Sequence, residues 1–474
     1  MKILLIKPPV NRHLITMYKA EPLELEYLAS AVKEHEVEIL DMRIDNNLAK
    51  KLEQFKPDFV GITAYTCEVN AATAVLKEVK KFNSNITTAV GGHHATFAPF
   101  DLSLPFVDVL FLGISDFSFK EYIQTMEEGG DVRSVNNIAL QNENEFYFTG
   151  HADVDVNLDL IPQPARHLTR HYRKKYRDQM RRKFALILTS RGCPFRCTFC
   201  ACWKIMNGKC AARNPESIVE ELASLHDDVE LVHFADDNTL YDVRKAWQLS
   251  DLIKERKIKK KLAMYARTDT IVKHPDLIEN FREAGLERIT VGIESFKDSE
   301  LALLNKKTSV RINNEAIRIL QKLGISIAAH IMVNPNYSEE DFKRLYKYVC
   351  DMNLFRPAFP ILTPLPGTEL YIDNYDRFVI KNYDFFDFAH SIFPTKLNRR
   401  EFYRRFSKLY TKSYSFHRYF RSRFKDLRSL FIKSVDNIPS HTDRLSLFRL
   451  ALTSVFALPT YFRLKKTYKS ELLI

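Results

Sequence analysis

The sequence predicts an α/β protein in three parts: an N-terminal doubly wound parallel sheet, a central (β/α)6 partial barrel and a basic, aromatic-rich helical C-terminal region. Three observations predict it. Short β-rich runs alternate with amphipathic stretches of helical period from "KILLIK" to "FKEYIQTME". A second series of the same kind starts at "FALILTSRG" and runs through about six strand-helix units. Beyond about residue 385 the alternation gives way to helical sequence rich in Phe, Tyr and Arg. Strands separated by helical segments of roughly 10–15 residues build parallel sheets. Six such units favour a barrel or partial barrel over another open sheet.

In the first series, residues 1–130, "KILLIK", "VEILDM", "DFVGITAY", "ITTAVGG" and "VDVLFLG" read as strands, and the segments between them as helices. A sheet of this kind binds its ligand at the carboxyl ends of the strands. Those ends carry Pro8, Thr63, Tyr65, Thr66, Gly91, Gly92, His93 and Gly113; the glycines let backbone approach a ligand or make tight turns. Residues 131–182 read as a linker, its periodicity broken at Pro162 and Pro164. The barrel occupies residues 183–375, its strands ending in "FADDN", "ART", "GIES" and "TPLPGT", and the C-terminal region residues 376–474.

The formal net charge is +12, yet residues 397–474 hold 18 Lys or Arg against 5 Asp or Glu. All the excess basicity is in the tail. Its segment "RREFYRRFSKLYTKSYSFHRYFRSRFKDLRSLFIK" interleaves cations with aromatics, a pattern of membrane-surface helices, of nucleic-acid grooves, and of solvated helical caps. No stretch reaches the roughly 18 apolar residues of a spanning helix. The opening apolar run stops at Lys7, short of a secretory signal. Seven cysteines in 474 residues make no disulfide frame of the short secreted kind. The expectation is a cytoplasmic protein with reduced thiols.

"RGCPFRCTFCACW" concentrates the chemistry. Cys193, Cys197 and Cys200 form C-x3-C-x2-C directly after a predicted strand. Structural zinc sites draw a second ligand pair from a dozen or more residues away, so three ligands in one short loop suit zinc poorly. A 4Fe-4S cluster held by three thiolates, with one iron open to a small molecule, suits them better. Cys202 and Cys210 are not expected to ligate.

The C-x3-C-x-F-C arrangement, with Phe199 before the last cysteine, resembles the signature of the radical S-adenosylmethionine (SAM) superfamily. The resemblance extends over roughly residues 180–370, through the strand-end motifs in order. It implies a 4Fe-4S cluster on Cys193, Cys197 and Cys200, and SAM held by Phe199, Asp236, Asp237, Arg267, Glu294 and Ser295. As plainer roles, Asp236 can cap a helix and Glu294 can pair with Arg267. The N-terminal domain, with "KPP", "GITAYT" and "GGHHATFAP", resembles the cobalamin-binding domain that precedes this core in one subgroup. That implies cobalamin near Pro8, Thr63, Tyr65, Thr66, Gly91, Gly92, His93 and Gly113. The D-x-H-x-x-G motif of cobalamin proteins with a lower axial histidine is absent, which implies a corrin bound without an imidazole ligand. His93 and His94 are then expected to face the pocket or solvent. "LGISDFSF" stands where relatives often have a Gly-Glu-Gly-Glu stretch.

The resemblance implies reductive cleavage of SAM to methionine and a 5'-deoxyadenosyl radical, followed by methyl transfer from cobalamin to an unactivated carbon. Cofactors carry that hard step while the protein binds and orients. The segment 383–410 is similar to the region after the barrel in hopanoid C-3 methylases, which points to a polycyclic or isoprenoid lipid. Radical cyclisation of a lipid or tetrapyrrole is the first rival. A metal-stabilised nucleic-acid-binding protein is the rival from another class, and six strand-helix units are more scaffold than such a module needs. The implied partners are an external electron donor such as flavodoxin or ferredoxin, a lipid-like substrate, and the inner membrane face through the tail; nucleic acid is not expected.

Overall fold

The computed structural model describes residues 1–10, 19–143, 145–151 and 156–414. The N-terminal domain runs β1 (Lys2–Lys7), α1 (Leu23–Ala31), β2 (Glu36–Asp41), α2 (Leu48–Phe55), β3 (Phe59–Thr63), α3 (Val69–Phe82), β4 (Thr87–Gly91), α4 (His93–Phe97), β5 (Val109–Phe111) and α5 (Asp116–Glu127). Two further strands, β6 (Ile138–Asn142) and β7 (Glu145–Phe148), complete one sheet of order β2-β1-β3-β4-β5-β6-β7. Pairing is parallel as far as β5 and antiparallel beyond it. Leu4, Ile6, Val60, Ile62 and Val90 pack on one face with Leu52 and Leu76 of α2 and α3. Ile3, Leu5, Phe59, Ala89 and Phe111 pack on the other with Leu25 of α1 and Phe119 of α5. Burial on both faces is why "KILLIK" reads as an almost unbroken apolar run.

The β6–β7 hairpin lies inside the segment expected to be a linker. Its strands are short, and Tyr147 and Phe148 remain 49% and 38% exposed at the sheet edge, so no alternation marks them. The rest of that segment ties the two domains together. Arg166 donates to Glu221 Oε1 at 2.6 Å and to the Leu186 carbonyl at 2.6 Å, and also binds Glu21. One guanidinium thereby joins carboxylates of both domains.

The central domain runs β8 (Phe184–Ile187), β9 (Ser190–Arg191), α6 (Cys202–Ile205), β10 (Ala211–Ala212), α7 (Pro215–Ser224), β11 (Leu231–Phe234), α8 (Val243–Glu255), β12 (Lys261–Ala266), α9 (Thr268–Lys273), α10 (Pro275–Glu283), β13 (Leu286–Glu294), α11 (Asp298–Leu303), α12 (Val310–Lys322), β14 (Ser326–Ile331), α13 (Glu339–Asp351) and β15 (Arg356–Ala358). The six long-sheet strands pair in parallel in the order β8-β11-β12-β13-β14-β15. This is the expected (β/α)6 partial barrel.

After α14 (Glu369–Ile372), α15 (Arg399–Ser413) closes the described chain. Its Phe402, Phe406 and Leu409 join the barrel core, where Phe402 meets Phe342 of α13 at a ring separation of 5.5 Å. Tyr410 Oη accepts from the Phe359 N–H at 3.0 Å. This corrects part of the membrane-surface expectation: the apolar stripe of "RREFYRRFSKLYTKS" covers the barrel. The basic tail after residue 414, including "RLSLFRLALTSVFALPTYFRLKK", lies outside the described residues.

Candidate functional site

β9 and β10 pair antiparallel, Arg191 opposite Ala211 and Ser190 opposite Ala212, and so close residues 192–210 into one loop. All three expected ligands, and Cys202 and Cys210, lie in it. Gly192 opens the loop at φ +88°, where a Cβ would lie 2.3 Å from the Lys209 carbonyl oxygen and 2.9 Å from the Met206 sulfur. Only glycine fits there. Asp236, at the end of β11, accepts from the N–H groups of Thr189 at 2.7 Å and Ser190 at 2.9 Å and from the Thr189 hydroxyl. Burial pushes this carboxyl up to about 6 despite those donors. Asp237 accepts from the Gly192 N–H at 3.0 Å. "FADDN" thus pins the base of the cysteine loop to the barrel.

Cys197 is buried, and Cys193 and Cys200 are half-buried. Burial raises the pKa of Cys193 and of Cys197. A hydrogen bond from Cys202 lowers that of Cys200. Lys306 stands beside them, its Nζ 2.7 Å from Glu294 Oε1. Burial opposes its charge, but Glu294 and Cys197 outweigh burial and raise the lysine pKa. Glu294 adopts φ +59° at a register shift that ends β13. Gly292 makes room for the pair, since a Cβ there would lie 2.2 Å from Glu294 Oε1 and 2.8 Å from Lys306 Nζ. Glu294 therefore pairs with Lys306, while Arg267 pairs with Asp269 at 3.0 Å and lies 3.4 Å over the Phe195 ring. The Phe199 ring centroid is 6.0 Å from Lys306 Nζ. Ser295 turns away, donating to Glu300 and capping Lys297 N–H at 3.1 Å. Lys306 was not among the expected residues, and a lysine in the polar run "NKKTS" carries no signal in sequence.

A cavity of about 310 Å³ opens between the strand ends of the two domains. Thr63, Tyr65, Gly91, Gly92, His93 and Gly113 line it from the N-terminal domain, and Arg191, Gly192 and Asp237 from the barrel. One part of its lining is apolar, contributed by the sheet (Leu5, Ala89, Phe111) and by helices α1 and α5 (Leu25, Leu28, Phe119). Two of the residues expected for cobalamin stand off the cavity: Pro8 follows β1, and Thr66 is buried with its hydroxyl 3.4 Å from His94 Nδ1. Of the expected cluster and SAM residues only Asp237 lines it; Cys193, Cys197, Cys200, Phe199, Asp236, Arg267, Glu294 and Ser295 do not. His94 faces neither pocket nor solvent. It is fully buried, with its ring 4.8 Å from that of Tyr383, because α4 turns successive side chains to different faces. His93 lines the cavity against Phe97 at 4.9 Å, and burial lowers its pKa, keeping the imidazole neutral at pH 7.

Comparison with known proteins agrees with this geometry. Residues 187–349 match the Radical SAM superfamily, and residues 16–118 match the B12 binding domain. An uncharacterised methyltransferase of Pyrococcus horikoshii is 28% identical over 384 residues, covering 78% of this chain and 82% of that protein. Hopanoid C-3 methylase of Methylococcus capsulatus is 24% identical over 413 residues, covering 85% of this chain and 78% of that protein. Anaerobic magnesium-protoporphyrin IX monomethyl ester cyclases and bacteriochlorophyllide methyltransferases are also similar. The fold matches that of the radical SAM methyltransferase TsrM from Kitasatospora setae, solved with cobalamin and a 4Fe-4S cluster, at a TM-score of 0.66 and 18% identity over 79% of this chain and 78% of that one.

The chain is therefore a radical SAM enzyme whose core is preceded by a B12-binding domain. Methyltransferases are among the proteins it resembles, and its two domains bring a 4Fe-4S cluster, SAM and cobalamin as cofactors. The residues present fit these groups. Cys193, Cys197 and Cys200 supply three soft thiols on one loop, the donor set that suits an iron-sulfur cluster. Gly92, at φ +99°, would place a Cβ 3.0 Å from Thr63 Oγ1 and 3.1 Å from the Ala64 carbonyl oxygen, so only glycine lets the β3 and β4 ends approach this closely where they line the cavity a corrin would occupy.

Proposed function

We propose that this enzyme methylates an unactivated carbon of a polycyclic or isoprenoid lipid. The observation that carries the reading is the single cavity that opens on both the glycine strand ends of the N-terminal domain and Asp237 and Gly192 at the cysteine loop. When bound, the cofactors supply a hydrogen-abstracting radical and a transferable methyl group. The chain's part is to hold them over one space. Cys193, Cys197 and Cys200 would hold the cluster. The Lys306–Glu294 ion pair and the Arg267 guanidinium offer charges of both signs beside it, suited to the carboxylate and ammonium of SAM. Asp237 is fixed by Gly192 at the cavity edge, and Leu188, Ile205 and Met206 give that edge an apolar wall that excludes water. Residues Thr63, Gly91, Gly92 and Gly113 would bear the corrin.

Similarity to hopanoid C-3 methylase supports a lipid substrate. No helix among the described residues is long and apolar enough to cross a membrane; the basic tail after residue 414 would supply a peripheral contact, each Lys or Arg adding about 1 kcal/mol at an anionic surface. Similarity to the magnesium-protoporphyrin cyclases favours ring formation on a tetrapyrrole as the second reading. Anaerobic turnover with methyl-labelled SAM, followed by mass analysis of the cofactor products and of extracted lipids, separates the two. Label in a lipid, with 5'-deoxyadenosine and S-adenosylhomocysteine both formed, is expected. 5'-Deoxyadenosine formed without methyl transfer would favour cyclisation.

A further inference from the structure

One side of the cysteine loop carries a rim whose residues do not line the cavity. Thr198 joins this loop to two other segments: its N–H donates to the Leu304 carbonyl at 3.2 Å, and its carbonyl accepts from the Leu370 N–H at 3.0 Å. The Arg196 carbonyl accepts from Asn305 Nδ2 at 2.6 Å. These bonds place the segments that carry Leu303, Lys307 and Ile372 beside the loop at Arg196 and Thr198. Leu303 is 79% exposed, more than any other large apolar side chain among the described residues, and Ile372 is 63% exposed. Arg196 and Lys307 are exposed and pair with no carboxylate among the described residues. Arg196 lies 5.3 Å over the Trp203 ring, with Lys204 5.2 Å from the same ring and held by Glu369 at 2.9 Å. Asp373, next to Ile372, is the exposed carboxylate adjoining this rim.

We infer that this rim is the docking face for an acidic protein that carries single electrons to the cluster. The assignment rests on the cluster being held by Cys193, Cys197 and Cys200. The cavity side of the loop is committed to SAM, the corrin and the substrate, so a reductant too large to enter must approach from outside. The rim offers the shortest backbone route, because Arg196 directly precedes the buried Cys197 and Thr198 directly follows it. Exposed apolar side chains beside cations that no carboxylate neutralises suit a transient interface that steers an anionic partner. The step itself moves one electron from the reduced carrier to the oxidised cluster and transfers no atom.

The test uses the reconstituted holoenzyme, and reads cluster reduction by absorbance and EPR rather than product formation. Reduced flavodoxin is the probe, and photoreduced deazaflavin, a small uncharged-ring reductant needing no docking face, is the control. Cluster reduction by flavodoxin should slow as salt is raised, and in R196E/K307E it should slow about tenfold or more at low salt. L303S/I372S should slow it at every salt concentration. Deazaflavin should reduce all three proteins at the same rate. Wild-type flavodoxin rates in R196E/K307E at low salt would overturn the assignment. Equal slowing with both reductants would overturn it too, since the variants would then be acting on the cluster. Either failure leaves the methyl-transfer reading intact, because that is judged by labelled product.

Discussion

Gly192→Ala should cripple the cysteine loop without removing a single ligand. Gly192 sits at φ +88°, and the added Cβ would lie 2.3 Å from the Lys209 carbonyl oxygen and 2.9 Å from the Met206 sulfur. The left-handed backbone costs a residue with a Cβ about 1–2 kcal/mol. The side-chain contact can relax, since Met206 is flexible, but the Lys209 carbonyl belongs to backbone that leads into β10. Forcing atoms into a packed site costs about 1–3 kcal/mol more. The total of roughly 2–5 kcal/mol falls on the loop between β9 and β10, where the Gly192 N–H also meets Asp237. Global stability should fall by no more than this amount, and the barrel itself should persist because its hydrophobic core lies outside this turn. Iron and sulfide content after anaerobic reconstitution should fall well below the wild-type level, and SAM cleavage with it, while circular dichroism stays native. A variant that takes up a full cluster and cleaves SAM at the wild-type rate would refute the close approach on which the loop geometry depends.

Cys193→Ala, Cys197→Ala and Cys200→Ala should each lose the four-iron absorbance, whereas Cys202→Ala and Cys210→Ala should keep it; iron analysis decides, and loss of iron from Cys202→Ala would make that thiol a ligand. Asp236 carries a folded-state pKa raised by burial to about 6, so the folded state holds its proton more tightly than the unfolded chain. Stability from this group is present below about pH 4 and lost as pH rises through about 6, an effect of up to about 3 kcal/mol. Asp236→Asn keeps an acceptor for the Thr189 and Ser190 amides, and should flatten the fall of unfolding free energy between pH 4 and 7. His94→Ala should destabilise the fold by roughly 2–4 kcal/mol in denaturant titrations, while His93→Ala should leave both stability and the spectrum of bound cobalamin unchanged.

Sequence and structure agree best where burial leaves a pattern. β1 is apolar on both faces, β13 alternates apolar Ile289, Val291 and Ile293 with polar or small neighbours, and the strand ends of the N-terminal sheet are written in glycines. The β6–β7 hairpin escaped notice because an exposed edge needs no apolar alternation. α15 shows another limit: amphipathic periodicity reveals that Phe402, Phe406 and Leu409 seek an apolar surface, but not whether that surface is lipid or barrel. In the site, Cys193, Cys197 and Cys200 announce themselves by spacing. Lys306 does not, because its position beside Cys197 and Glu294 exists only after the chain has folded. Asp236 and Ser295 sit in recognisable motifs, yet their oxygens are occupied by the backbone amides and side chains around them. Buried N–H groups require acceptors, and a strand-end acid or hydroxyl meets that need before any ligand arrives.

The central claim is that the base of the cysteine loop and the glycine strand ends meet at one cavity between the two domains, so that a cluster and a corrin held there would lie near each other, and that His93 and His94 would not ligate cobalt. Electron paramagnetic resonance of holoenzyme containing cob(II)alamin, recorded with the cluster oxidised and then reduced, tests it most directly. The account predicts a cobalt signal without axial nitrogen splitting, whose relaxation quickens when the cluster becomes paramagnetic. A cobalt signal indifferent to the cluster's redox state, or one showing nitrogen splitting that disappears in His93→Ala, would contradict it.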